Sequence, residues 1–67
     1  MNNRERIGRR IAELRIEKGW SQEGLAQSCG MQQQNIARIE LGKYSTGIDI
    51  LSRIAEALGV QLDFVEN

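Results

Sequence analysis

The sequence predicts an all-α domain of four to five short helices, in which the last residues could instead form a dimerisation strand. Apolar residues recur at helical spacing in four segments, glycines follow the end of each segment, and proline is absent. With 67 residues the chain is expected to form one domain, residues 1–67. A domain of this size buries a small core, so a second subunit would be a natural source of further burial.

The first helix is predicted from about Asn3 to Lys18. Its apolar residues recur at i, i+4 and i+7, which is typical of a helix with one buried face, and they are Ile7, Ile11 and Leu14. Gly19 is a plausible stop. Trp20 follows and is expected to pack in the core and not to stack on a base.

The second and third helices are short and are separated by Gly30. The second is predicted from about Gln22 to Cys29, with Ser21 as its N-cap. Gly24 lies inside it and costs about 1 kcal/mol relative to alanine, so tertiary packing must hold this helix. The third is predicted to begin near Gln32 and to run to about Leu41.

A fourth helix is predicted from about Gly47 to Leu58, with Thr46 and Asp49 as a capping box. The segment Val60–Phe64 then alternates apolar and polar residues, which is the period of a β-strand. Such a strand could pair with its copy in a second subunit. The alternatives are a fifth short helix and an apolar tail packed on the core.

The composition excludes several classes of protein. With no histidine and one cysteine, the chain has too few ligands for a zinc site and cannot form an internal disulfide. It also lacks a glycine-rich phosphate loop and the volume for a pocket. We therefore expect no enzymatic activity, no metal and no cofactor. The first six residues lack the apolar stretch of an export signal, and no membrane span is expected, so a reducing cytoplasm fits best.

The charges are unevenly distributed although the net charge is zero. Residues 1–18 carry a net charge of +3, whereas residues 44–67 carry −3. The first part of the molecule could therefore face phosphate groups while the acidic end faces away.

A helix-turn-helix is predicted at residues 22–41. Two short helices can cross closely only if a small residue lies at their contact and a glycine makes the turn, and Ala26 and Gly30 are spaced for these roles. The apolar residues that would lock the pair are Leu25, Cys29, Met31, Ile36 and Ile39. This geometry leaves the first turn of the third helix projecting from the surface.

In these residues the chain resembles the lambdoid repressor and Cro family of helix-turn-helix regulators, also called the xenobiotic-response-element family. The matching runs are residues 11–23, Leu25–Ala26, Gly30, Ile36, Ile39–Glu40, Gly42–Lys43 and residues 54–60. The resemblance implies a domain of five helices, or four plus an extension, whose third helix enters the major groove of double-stranded DNA. It also implies a homodimeric repressor on a pseudo-palindromic operator.

The same resemblance implies a set of DNA-binding residues. Gln22 would hold a phosphate at the start of the second helix. Gln32, Gln33 and Gln34 would read base edges, since a glutamine amide can pair with N6 and N7 of adenine, and Gln33 is the first choice. Asn35 and Arg38 would contact phosphate groups or flanking bases. The loop residues Lys43, Tyr44 and Ser45 would contact the DNA backbone. A surface ion pair is the alternative for Arg38, and a helix-dipole contact is the alternative for Lys43.

Other positions are expected to be structural. The resemblance implies a partly buried ion pair between Arg15 and Glu40, and Cys29 is expected to be a buried core thiol. The dimer interface is expected at Leu62, Phe64 and Val65. Departures from the family pattern are Gln32 in place of serine or threonine, Gly24 in place of glutamate and Thr46 in place of proline. The last two suggest a softer second helix and a looser loop.

Three other functions remain open at this point. The chain could be an antitoxin that binds DNA and a toxin partner, or the controller of a restriction–modification system. It could also be a protein-interaction module without DNA binding, although the row of glutamines and Lys43 argue against that.

Overall fold

The computed structural model describes residues 2–66 and contains four helices, which are α1 (Asn3–Glu17), α2 (Gln22–Cys29), α3 (Gln33–Glu40) and α4 (Ile48–Leu58). The predicted all-α class is confirmed, and each helix end lies within one residue of its predicted position. Met1 and Asn67, the two ends of the predicted domain, lie outside the described residues. None of the four helices has the length and apolarity needed to cross a membrane.

The first two helices begin with side-chain caps. The Asn2 carboxamide accepts a hydrogen bond from the Glu5 amide at 2.8 Å, and the Glu5 carboxylate accepts one from the Asn2 amide at 3.2 Å, which completes a capping box. Ser21 caps α2 as predicted, because its Oγ accepts a hydrogen bond from the Gly24 amide at 3.0 Å.

The predicted capping box at the start of α4 is wrong. Gly47, not Thr46, is the N-cap residue, and no side chain caps this helix. Counting from Gly47, the third helical position is occupied by Ile50, which has no acceptor, and Asp49 is left in the first turn where it favours the helix dipole.

The core lies where the four helices meet. Leu25, Ile36 and Ile54 are fully buried and come from α2, α3 and α4 respectively. The remaining buried apolar residues are Ile11, Ala26, Cys29, Ile39, Ala55 and Leu58. Trp20 and Met31 are partly buried and pack against this core, so the core assignment of Trp20 is confirmed.

Two close approaches position α3. Ala26 is 2% exposed at the α2–α3 contact, and Gly30 makes the turn in the left-handed region with φ 68°, as predicted. Gly8 in α1 is buried beneath the main chain of Ile39 and Glu40 in α3, and sequence analysis did not anticipate this contact. A Cβ at Gly8 would lie 2.8 Å from the Glu40 carbonyl oxygen.

Residues 60–66 form neither the predicted strand nor the alternative fifth helix within the described part of the chain. A single strand has no partner in its own chain, which is the physical reason that the alternating pattern does not produce one here. Residues 60–63 and Val65 instead line a groove of about 340 Å³ beside α1 and α4. All of residues 60–66 are nevertheless exposed, and Phe64 is exposed at 101%, so the tail is not buried on the core as the third interpretation requires.

Candidate nucleic-acid interface

The first turn of α3 presents polar side chains to solvent. Gln32 is the N-cap residue, and it makes no side-chain capping bond. Gln32, Gln33 and Gln34 are all exposed, and their backbone lies at the end of a helix that packs its other face on the core through Ile36 and Ile39. The amides are thus available to a partner, as the helix-turn-helix interpretation requires.

Gln33 is held in place by a side chain from α2. Its Nε2 donates a hydrogen bond to Oε1 of Gln22 at 2.8 Å. Gln22 in turn donates from Nε2 to Oε1 of Glu40 at 3.0 Å. The Gln22 side chain, for which a phosphate contact was expected, therefore already bridges the start of α3 to its last residue.

Glu40 also pairs with Arg15, so the predicted ion pair is confirmed. Arg15 donates from Nε to Glu40 Oε2 at 2.7 Å and from Nη2 to Oε1 at 3.0 Å, while its Nη1 donates to the Trp20 carbonyl at 2.7 Å. The two charged side chains are only 13% and 6% exposed. The hydrogen bond to Glu40 raises the pKa of Arg15, against the opposing effect of burial. The three hydrogen bonds of Arg15 join α1, α3 and the residues just before α2.

Asn35 and Arg38 lie further along α3. Asn35 is half-buried, and Arg38 is exposed in the last turn. Within residues 2–66 Arg38 makes no ion pair, so its predicted surface-bridge alternative is not found there. Its guanidinium is therefore free to meet an outside anion.

Lys43, Tyr44 and Ser45 follow α3 in an exposed loop. The Lys43 amide donates to the Arg38 carbonyl at 3.0 Å, which ties the start of this loop to the end of α3. Tyr44 and Ser45 share a cleft with Asn3 and Arg4 of α1. Sequence analysis did not assign Asn3 or Arg4 to the site. The net positive charge of residues 1–18 pointed toward Arg4, and no signal pointed to Asn3.

Cys29 is a core residue, as predicted. It is 6% exposed, and burial raises the pKa of its thiol, an effect that the nearby charge of Arg53 partly offsets. Arg53 also donates to the Cys29 carbonyl at 3.4 Å. Among residues 2–66 there is no cluster of three or more histidine, cysteine, aspartate or glutamate side chains that could hold a metal ion.

Comparison with known proteins agrees with this geometry. The model of the helix-turn-helix family HTH_3 matches residues 11–65. The chain is 37% identical over 47 residues to a hypothetical transcription factor of Neisseria meningitidis, which covers 70% of this chain but only 44% of that protein. The chain thus spans less than half the length of this relative.

Among the relatives that match over most of both chains are two control proteins. The control protein C.BamHI of Bacillus amyloliquefaciens is 37% identical over 68 residues, covering 94% of this chain and 84% of that protein. The crystal structure of the restriction-modification controller protein C.AhdI of Aeromonas hydrophila superposes with a TM-score of 0.83 at 32% identity, covering 85% and 86% of the two chains.

Proposed function

Because the chain belongs to the HTH_3 helix-turn-helix family, we propose that it is a sequence-specific DNA-binding transcriptional regulator, and more particularly a repressor. The DNA-binding residues are those of the α2–α3 surface and the following loop, namely Gln22, Gln32, Gln33, Gln34, Asn35, Arg38, Lys43, Tyr44 and Ser45. This activity needs neither a catalytic residue nor a cofactor, and a DNA target implies a cytoplasmic protein.

One observation carries the proposal, which is that Gln33 is both exposed and pre-oriented at the start of α3. An α-helix with its side chains is about 10–12 Å across, so α3 can enter a major groove about 12 Å wide. A glutamine held by a neighbour loses less side-chain freedom on binding than a free one. It is therefore a better base reader than an unrestrained surface side chain.

Contacts to phosphate would flank this base reader on both sides. On one side, the first amides of α2 can meet an anion, as helix N-termini favour. On the other side, Arg38 and Lys43 are exposed cations, and Arg4 lines the cleft beside Tyr44 and Ser45. Such contacts set the register of α3 on the duplex, whereas the glutamines supply the sequence preference.

We also propose that the protein acts as a homodimer through its C-terminal tail. Leu62, Phe64 and Val65 are 44%, 101% and 86% exposed, which is unusual for apolar side chains grouped in a short segment. Sedimentation of wild type and Phe64→Ser tests this: the variant should be monomeric at concentrations where wild type is dimeric. Ile16→Ser, at an exposed apolar residue of α1, is the control and should leave the dimer intact.

The central experiment is selection of bound DNA from a random pool by the full chain. We expect enrichment of a pseudo-palindrome whose half-sites lie about 34 Å apart, one helical turn. A pool that shows no enrichment would overturn the assignment as a sequence-specific regulator.

The contribution of Gln33 is measured on the selected site. Gln33→Ala should lose about 1–3 kcal/mol of binding free energy and relax the preference at one base pair of each half-site. Ser52→Ala, at an exposed position of α4, is the matched control and should bind as wild type does. If Gln33→Ala keeps every base preference, Gln33 is not a base reader.

A second candidate function is control of restriction–modification genes. It is favoured by two of the relatives that match over more than four fifths of their own length, one a control protein and the other a restriction-modification controller. Mapping the selected site onto the source genome tests it. The site should lie upstream of a gene for a restriction endonuclease or a DNA methyltransferase, and a site elsewhere favours a repressor of other genes.

The antitoxin alternative stays a prediction. It requires a toxin partner that co-purifies with the chain.

A further inference from the structure

Four side chains form a continuous hydrogen-bonded relay that runs from the interior to the surface, in the order Arg15, Glu40, Gln22 and Gln33. The relay begins at an ion pair that is nearly excluded from solvent and ends at the exposed carboxamide of Gln33. Each link joins residues at least 11 positions apart in sequence.

The chemistry of the groups dictates the direction of every bond. An arginine guanidinium can only donate, and an ionised carboxylate can only accept. Because Gln22 meets the carboxylate of Glu40, it must present its Nε2 there and its Oε1 at the other end. Gln33 must then use one Nε2 hydrogen to reach that oxygen.

The free edge of Gln33 therefore has a defined polarity. It retains one N–H donor and the Oε1 acceptor, and this pair matches N7 and the N6 amino group of adenine in the major groove. If the amide of Gln22 were turned over, Gln33 would accept from it through one lone pair of Oε1, and its free edge would present the oxygen and the N–H group in the reverse order, out of register with N6 and N7 of adenine.

We propose that Glu40 is a positioning residue for base recognition, because its carboxylate sets the polarity of Gln22 and, through it, of Gln33. This inference rests on the proposed function, since it concerns how that surface reads a base. Glu40 does not touch DNA in this scheme. It determines which base Gln33 prefers.

The test uses the full chain and the selected operator with each of the four base pairs in turn at the position that Gln33→Ala relaxes. Glu40→Gln keeps the size of the side chain but can turn either an oxygen or an N–H group toward Gln22. We expect its preference for adenine over guanine to fall roughly tenfold. Binding to random-sequence DNA should stay near the wild-type level.

Gln22→Met is the second variant, because it interrupts the relay while leaving the Arg15–Glu40 ion pair intact. Any folding defect that the Glu40→Gln substitution causes is absent from this variant. It should show the same loss of preference. A loss of affinity shared by all sequences, with the adenine preference unchanged, would mean that Gln22 only holds phosphate and would overturn the relay.

Ile39→Val is the control for a purely structural effect. It trims the core beside Glu40 and lowers stability, yet it leaves all four relay side chains in place, so its base preference should match that of wild type. If Ile39→Val loses the preference as Glu40→Gln does, destabilisation explains both and the inference fails.

The two proposals fail differently. Wild type that discriminates between bases, with Glu40→Gln and Gln22→Met discriminating equally well, refutes the relay alone. Wild type that binds all four operators equally refutes base reading at that position and the relay with it, whereas a random pool that shows no enrichment refutes sequence-specific binding itself.

Discussion

Gly8 of α1 lies directly against the carbonyl oxygen of Ile39 in α3, with no space for a side chain between the two helices. Gly8 and Arg15 are seven positions apart and so lie on the same face of α1, two turns from each other. The close approach at Gly8 therefore brings α1 near enough to α3 for Arg15 to reach Glu40, from which the relay to Gln33 starts.

We predict that Gly8→Ala destabilises the fold by about 1–3 kcal/mol, because its Cβ would meet main-chain atoms that cannot move aside. For a domain of this size each kcal/mol lowers the melting temperature by about 4–8 °C, so thermal unfolding followed by circular dichroism measures the effect.

Gly24→Ala is the matched control, since Gly24 is also a helical glycine. A Cβ there would lie 3.4 Å from the Ser21 Oγ, an ordinary contact, and its φ is not positive. This variant should raise stability by about 0.5–1 kcal/mol through the lower conformational entropy of the unfolded chain. Equal changes in melting temperature for Gly8→Ala and Gly24→Ala would show that the close approach at Gly8 does not contribute to stability.

Removing one partner of the Arg15–Glu40 pair should be costly. Arg15→Met leaves the Glu40 carboxylate mostly buried without its cation, and we expect a loss of about 3–5 kcal/mol. Urea denaturation measures this loss. The double variant Arg15→Met/Glu40→Met should recover most of it, because no charge is then stranded; a double variant as unstable as the single one would contradict this explanation.

Stability should fall in alkali because of Cys29. Burial raises the pKa of the folded thiol, so below the ordinary thiol pKa of about 8.5 both the folded and the unfolded chain keep the proton. Above it the unfolded chain ionises first, which favours unfolding until the pH passes the folded pKa. The melting temperature of wild type should therefore drop more between about pH 8 and pH 10 than that of Cys29→Ala. Parallel curves would exclude a contribution from Cys29.

DNA binding should depend steeply on salt, with counterions released from roughly 6–10 phosphates. Lys43→Gln should weaken binding about equally on all sequences and reduce the slope of log K against log salt by about one. Anisotropy titrations over a range of salt concentrations measure this slope.

Lys18→Gln is the charge-matched control. The Lys18 ammonium lies over the Trp20 ring, 5.3 Å from its centroid, and near Gly59 at the end of α4, away from the α3 loop. For Lys18→Gln, the slope of log K against log salt should equal that of wild type. A slope unchanged in Lys43→Gln would remove Lys43 from the phosphate contacts.

The helices were predictable because their signals are local. Apolar spacing, the cap at Ser21 and the turn at Gly30 act within a few residues, and the structure has them where they were expected. Thr46 was assigned a cap it does not make, because a one-residue shift of the helix start, decided by the loop, moves the acidic residue out of the capping position.

The candidate site was predictable as a set of residues but not as a mechanism. The exposure of Gln33 follows from the helix-turn-helix pattern. Its bond to Gln22, and the bond of Gln22 to Glu40, join positions that no periodicity connects. The tail at residues 60–66 is not a strand in the single chain for a related reason, since an alternating pattern forms a strand only where another strand is beside it, and the predicted partner was a second subunit.

The order of amino acids alone determined the positions of the four helices to within one residue, the faces they bury and the glutamine side chains at the start of α3, because these properties depend on neighbours along the chain. Only the tertiary structure decided that α1 and α3 approach each other so closely at Gly8 and that the Gln33 carboxamide is held in one orientation. Both depend on distances between helices, and those distances exist only after the core has packed.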